Sequence, residues 1–373
     1  MSTASVSLVL AGRPGPSEAT RARVLAVAER LGYRPDRAAS ALARRSSGLI
    51  GLMIDVHNPF HAELVEAVHQ HAEAAGWDVV LSTVTAHRDE ARAISTLVDF
   101  RCESLLLLGS LAGRDRLLEL AEGRRVVVVG RPMTPVGFDV VRADDELGAR
   151  LVVDHLVAMG HRDIAFVDGP PGAISTTRRR GYRAAMRAHG LGDRIRIAAG
   201  GTTEADGARA GRVLLGGAGP LESAGPDGAG GARAADDSLR PSRLRPDALR
   251  PDALRPDPLR PDSSRPDAVF AYNDRCAVGV VDAFARAGLR VPRDVAVAGY
   301  DDSTLARMQH LDLTSVSQEP DETARHAVAL AIASSAPAQR PGTVRDGREI
   351  VVTPRLVVRS STTKSGAGPT IPT

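Results

Sequence analysis

From residue 48 onward the chain repeats one local pattern: a short apolar run, a stretch with helical spacing, then another apolar run. GLIGLMI (48–54) is followed by a helical stretch that starts at Pro59 and stops at Gly76, and then by WDVVLST. A second helical stretch around 89–101 leads to SLLLLGS, and RRVVVVG (124–130) and FDVVRAD (138–144) continue the series. Apolar runs without polar alternation are strands buried on both faces, and helices between successive strands cover such a sheet on each side. This pattern leaves one fold class, α/β with parallel sheets.

The series restarts after a helix predicted over 146–159. DIAFVDG (163–169), a helix over 176–189, RIRIAAG and a helix over 204–215 come first, then DAVFAYND (267–274), a helix to Ala287 and DVAVAGYDD (294–302). Two open sheets imply two lobes, with a ligand cleft facing the carboxyl ends of their strands. The predicted boundaries are 48–160 with 317–334 for the first lobe, and 161–316 with 348–360 for the second. Within the second lobe's span, 216–265 turns Gly-Ala-Pro-rich and then runs LRPSRLRPDALRPDALRPDPLRPDSSRPDA. Proline every fifth residue removes backbone donors and excludes a stable helix, so a disordered surface insertion is expected there. Its arginines each have an aspartate nearby, which argues against a nucleic-acid-binding arm. Residues after Thr363 read as a loose tail.

Several chemistries lack their motifs. There is no His-Glu-x-x-His, no Walker loop and no nucleophile elbow at a strand–helix junction, so no enzyme activity and no cofactor are expected. His57, His61, His69 and His71 fall close together, but His69 and His71 are two apart on one helix and face different directions, so no metal site is expected. Cys102 and Cys276 match no metal or redox spacing. With no signal-peptide pattern and no apolar run of spanning length, a cytoplasmic protein without a membrane partner is expected.

Polar residues gather at the carboxyl ends of the strands. NPF (58–60) follows the first strand, Asp144 ends another, Asn273 and Asp274 a third, and Asp301 and Asp302 a fourth, while Arg178 opens the helix after 163–169. Such a set, with one ring, suits a small ligand rich in hydroxyls or carrying charge. Asn58, Asp274 and Asp302 read equally well as caps and turn residues.

The first 47 residues are of another kind. They hold eight arginines against three acids, although the whole chain carries only +3. A helix over 2–10, a Gly-Arg-Pro-Gly turn, a second helix capped by Ser17 and ended by Gly32, and a basic, alanine-rich helix over 37–45 follow one another. A basic helical head on a slightly acidic body is the asymmetry of a nucleic-acid binder.

Taken in order, STASVSLVLAGRPG, SEATRARVLAVAERLGYRPDRAASALARR, NPF, RRRGYRAAM, AVFAYNDRCAVG, VAVAGYDD and LTSVSQEP resemble the lactose/galactose/purine repressor family of bacterial transcription regulators. The resemblance spans nearly the whole chain apart from the insertion and the tail. It implies a DNA-binding headpiece over 1–47 and a two-lobed, periplasmic-binding-protein-like core that holds an effector, a sugar or sugar derivative. Operator DNA and a second copy of the chain, as a homodimer, would be its partners. In the family, 2–10 would be the recognition helix in the major groove. Thr3, Ala4 and Leu8 would face bases, with Leu8 replacing an arginine often found there, and Ser5, Ser7 and Tyr33 would touch phosphates. The 37–45 segment, including Arg37, would be the hinge helix, with Leu42 as its minor-groove wedge. Phe60, Asp144, Arg178, Asn273, Asp301 and Gln318 match the effector positions, whereas the ring that often comes from the second lobe has no clear counterpart. The helix that should precede the recognition helix is missing, and the expectation is that Met1 replaces a valine inside a longer reading frame. A solute-binding protein with no DNA role is the alternative; it would need an export signal where this chain has a basic head.

Overall fold

The computed structural model describes residues 2–10, 14–32, 47–217, 221–223, 265–333 and 345–363. The predicted hinge helix with Arg37 and Leu42, Tyr33, and most of the Pro/Arg/Asp-rich insertion lie outside these residues.

The first lobe is an all-parallel sheet of β1 (Leu49–Asp55), β2 (Asp78–Val84), β3 (Ser104–Leu108), β4 (Arg125–Val129), β5 (Asp139–Ala143) and β12 (Glu349–Val352), in the order β12-β5-β4-β3-β1-β2. Both faces are apolar because both are covered. Ile50, Leu52, Leu106 and Val127 pack under Leu64 and Val68 of α3 (Pro59–Ala74) and Ala327 and Val328 of α10 (Pro320–Ile332). Met53, Leu105, Leu107 and Val128 meet Ile94 and Leu97 of α4 (Glu90–Asp99) and Leu117 and Leu120 of α5 (Arg114–Ala121) on the other face.

The second sheet contains β6 (Ile164–Val167), β7 (Arg196–Ala198), β8 (Leu221–Ser223), β9 (Ala268–Ala271), β10 (Ala296–Asp301), β11 (Thr314–Ser317) and β13 (Arg355–Val357), in the order β13-β11-β10-β9-β6-β7-β8. Its interior strands are parallel, and its two edges, β13 and β8, pair antiparallel. The helices α6 (Asp145–Ala158) and α7 (Ala173–Ala188) cover one face around Phe166, Phe270 and Tyr300. The other face lies under α8 (Glu204–Leu214) and α9 (Asp274–Arg286). Those two helices meet at Gly207 and Gly279, where a Cβ would run into a backbone carbonyl of the opposite helix.

Three of the predicted boundaries need correction. The helix expected to close the first lobe, α6, packs Val152, Val153 and Leu156 on the second sheet, so the crossing falls at Asp144 rather than after residue 160. The segment 348–360, expected in the second lobe, divides: β12 joins β5 in the first sheet, and β13 joins β11 in the second. Residues 221–223, within the predicted insertion, form the edge strand β8. The described chain therefore crosses between lobes at Asp144, after β11 and between β12 and β13.

At the N-terminus, α1 (Thr3–Leu10) packs on α2 (Glu18–Arg30), with Val9 and Val24 buried between them. The Ser17 hydroxyl caps α2 by accepting from the Thr20 amide at 3.4 Å. Ser5 and Leu8 are half-buried, and the side chains of Thr3, Ala4 and Ser7 lie outside the described residues.

Candidate functional site

A cavity of about 260 Å³ opens between the lobes at the carboxyl ends of both sheets. From the first lobe, β1 delivers Asp55 to its rim, and the turn that follows is tied down locally. The Asn58 side chain accepts the Phe60 amide at 3.1 Å, Pro59 takes the first helical position, and Phe60 and His61 thereby occupy the opening turn of α3. The Asp55 amide donates to His61 Nδ1 at 3.1 Å, which leaves the ring's own proton on Nε2. Burial pushes the His61 pKa down to about 4, against the pull of Asp55, so the imidazole is neutral. His57 Nδ1 lies 3.0 Å from Asp55 Oδ1 at the outer edge.

The second lobe supplies a network of charges. Arg178, one turn into α7, donates Nε to Asp145 Oδ1 at 2.8 Å and Nη1 to the Tyr272 carbonyl at 2.6 Å. Its guanidinium stacks 3.5 Å from the Tyr300 ring centre and 4.7 Å from that of Tyr272. Asp301 Oδ1 lies 4.0 Å from Arg178 and accepts from Gln318 Nε2 at 2.7 Å. Burial raises the Asp301 pKa, while Arg178 opposes the rise. The Asp301 backbone holds φ at 105°, a conformation that side-chain-bearing residues rarely keep unless surrounding structure enforces it. Asn273 caps α9 by accepting the Cys276 amide at 2.8 Å and donates to the Thr202 carbonyl at 3.2 Å; Thr203 caps α8.

Five of the six effector residues predicted from sequence, Phe60, Arg178, Asn273, Asp301 and Gln318, line this cavity together. Asp144 is not among the lining residues. It directly follows β5, and its carboxylate accepts the Leu147 amide at 3.0 Å and caps α6, so its expected effector role gives way to a capping one. Asn58 both caps and lines the cavity. Asp274 accepts from Ser303 and Ser315 at 2.6–2.8 Å, and Asp302 pairs with Arg359 at 2.6 Å, which makes both structural anchors. One ring from the second lobe, Tyr272, lines the cavity together with Phe60 of the first. Its signal in the sequence was its place between an apolar run and Asn273. His61, Thr202, Thr203 and Arg275 also line the cavity without having been expected.

A parallel α/β core with two lobes, three crossings and a polar, ring-bearing cavity at the strand ends defines a small-molecule-binding domain. Residues 153–362 match the family described as periplasmic binding protein-like domain, and 48–216 match periplasmic binding proteins and sugar binding domain of LacI family. The chain is 30% identical to the ribose operon repressor of Escherichia coli K12 over 89% of each chain. It is 25% identical to the HTH-type transcriptional regulator DegA of Bacillus subtilis, over 97% of this chain and 95% of that one. The crystal structure of a LacI transcriptional regulator from a Rhodococcus species shares 36% identity, with a TM-score of 0.67, over 84% of this chain and 98% of that one. The lac repressor dimer bound to operator shares the fold at a TM-score of 0.71 and 22% identity, over 97% of this chain and 96% of that one. The chain belongs to the LacI family of transcription regulators.

Proposed function

We propose that this chain is a cytoplasmic repressor that binds operator DNA as a homodimer and is controlled by a sugar or sugar derivative held between its lobes. The observation that carries the reading is the relation of the cavity to β1. The cavity lies at the carboxyl end of that strand, and the N-terminal segment joins at the other end. There the Ser47 hydroxyl donates to the Arg101 carbonyl at 2.9 Å, and the Gly48 amide to Glu103 at 2.6 Å. A ligand that bridges the lobes favours one lobe angle, and a rigid strand carries that preference to the segment that would hold DNA. Relatives support the ligand class: one is a ribose operon repressor, and a structure at 26% identity is a CelR–cellobiose complex.

Phe60, Arg178, Asn273, Asp301 and Gln318 are proposed to hold the effector. Thr3, Ala4 and Leu8 are proposed to meet bases, and Ser5, Ser7, Tyr33, Arg37 and Leu42 the backbone and minor groove. An in-frame extension upstream of Met1 is proposed to encode the family's first helix, and the extended protein is the one to test for DNA binding. Genomic fragments retained by it should be released on addition of one sugar from a panel. Retention of no fragment above random DNA, or release by no sugar, overturns the reading; an in-frame stop codon directly before Met1 overturns the extension.

A further inference from the structure

The charges around the cavity narrow its ligand. Among the described residues two arginines line it, and both are already held by carboxylates. Arg178 is bound to Asp145, as described above. Arg275, in the first turn of α9, donates Nε and Nη2 to the two oxygens of Glu204 at 2.9 and 2.6 Å. Its Nη1 donates to the His57 carbonyl at 2.7 Å, across the cleft on the other lobe. A bidentate guanidinium–carboxylate pair of this kind is the strongest form of the contact and leaves little for a second anion. The hydrogen bond from Arg275 holds the Glu204 carboxyl below its ordinary pKa, so the pair is fully ionised at neutral pH. The lining also carries Asp55 and Asp301. An entering phosphate or carboxylate would meet the Asp55 carboxylate, lose water, and find both guanidiniums taken. A neutral hydroxylated ring brings no charge into the cleft and meets an aromatic side chain from each lobe, Phe60 and Tyr272. The volume of about 260 Å³ also falls below the roughly 300–1,000 Å³ of drug-sized sites, which suits one ring rather than two.

We propose that the cleft takes an uncharged monosaccharide and rejects phosphorylated, carboxylated and two-ring sugars, and that the Glu204–Arg275 pair enforces the rejection of anions. The proposal rests on the reading of the cleft as the effector site. Arg275 acts here as a specificity-determining residue that also straps the lobes together. Its consequence is that the regulator would report the free sugar before any kinase acts on it.

Calorimetric titration of the full chain tests this with D-ribose, D-galactose and D-glucose, the phosphates of all three, D-gluconate and cellobiose. At least one neutral monosaccharide should bind, with its phosphate weaker by about a hundredfold. Glu204→Gln, at a side chain 43% exposed and therefore tolerant of the change, should shrink that gap about tenfold by releasing a cation. A phosphate, gluconate or cellobiose that binds more tightly than every neutral monosaccharide overturns the proposal. An unchanged gap in a Glu204→Gln variant of parental melting temperature removes the pair from it. Binding of no sugar of any kind by a cooperatively folded chain is a different failure, that of the effector-site reading itself.

Discussion

Arg178 and His61 face one cavity from opposite lobes, and both are nearly buried, at 3% and 6% exposure. They meet the cost of burial in opposite ways. Arg178 keeps its charge and is surrounded by a carboxylate, a carbonyl and two aromatic faces. His61 gives its charge up and needs only the Asp55 amide as a partner. The second-lobe wall is therefore fixed by many contacts around a buried charge, while on the first lobe the buried His61 is neutral and Phe60 apolar, with Asp55 at the rim.

The largest effect should come from breaking the charged wall. Arg178→Ala leaves Asp145 buried without its cation and should cost about 3–5 kcal/mol of folding stability, together with loss of sugar binding. Urea denaturation and calorimetry measure the two. Replacing both partners, Arg178→Met with Asp145→Leu, should recover much of the stability and none of the binding, because the penalty lies in the unpaired charge. A single variant as stable as the parent would show that the wall is less closely coupled than its distances imply.

His61, on the first-lobe wall, should respond to pH instead. An unfolded chain's histidine takes up a proton near the ordinary value of 6.5, whereas His61 in the folded chain resists until about 4. Within that window the unfolded state binds more protons, so stability is complete above it and falls as pH drops through it, by roughly 3 kcal/mol. His61→Asn, which keeps an acceptor for the Asp55 amide, should flatten that part of the pH dependence. Denaturant midpoints at pH 7, 5.5 and 4.5 measure it, and equal slopes in parent and variant would refute the assignment.

The contrast between the walls was only partly legible beforehand. Strands such as LLLL in β3 are buried at every position, and that is visible as an apolar run. Phe60, Asn273 and Asp301 follow such runs directly, so their place at the strand ends followed too. What a stripe cannot say is which sheet it will cover. Helix α6 presents one apolar face in either case, and its choice of the second lobe depends on contacts with Phe166 of the next strand and with Tyr300, far along the chain. EIVV and RLV are separated by two residues, too short a gap to reveal that they join different sheets. The neutrality of His61 was equally invisible, since it follows from burial rather than from its neighbours in sequence.

Asp144 supplies the smallest effect and the finest test of where the charged wall ends. It lies on the first crossing, between the last residue of β5 and the first of α6, and the Asp144 amide donates to the Val352 carbonyl at 3.0 Å. Its carboxylate accepts one of the amides that every helix start leaves without a partner, and it stands near the positive end of the helix dipole. Asp145 and Glu146 already place acidic charge in that first turn, so the dipole contributes little that is specific to Asp144, and the hydrogen bond is most of its value. Asp144→Ala should therefore cost about 1 kcal/mol of stability, and Asp144→Ser, which also caps, should restore most of it. Sugar affinity should be the same in all three proteins, because Arg178, Asp301 and Gln318 hold the cavity without it. A tenfold loss of affinity at unchanged melting temperature would mean that the ligand reaches past the cavity to the crossing itself. The boundary of the charged wall would then move from Asp145 to Asp144.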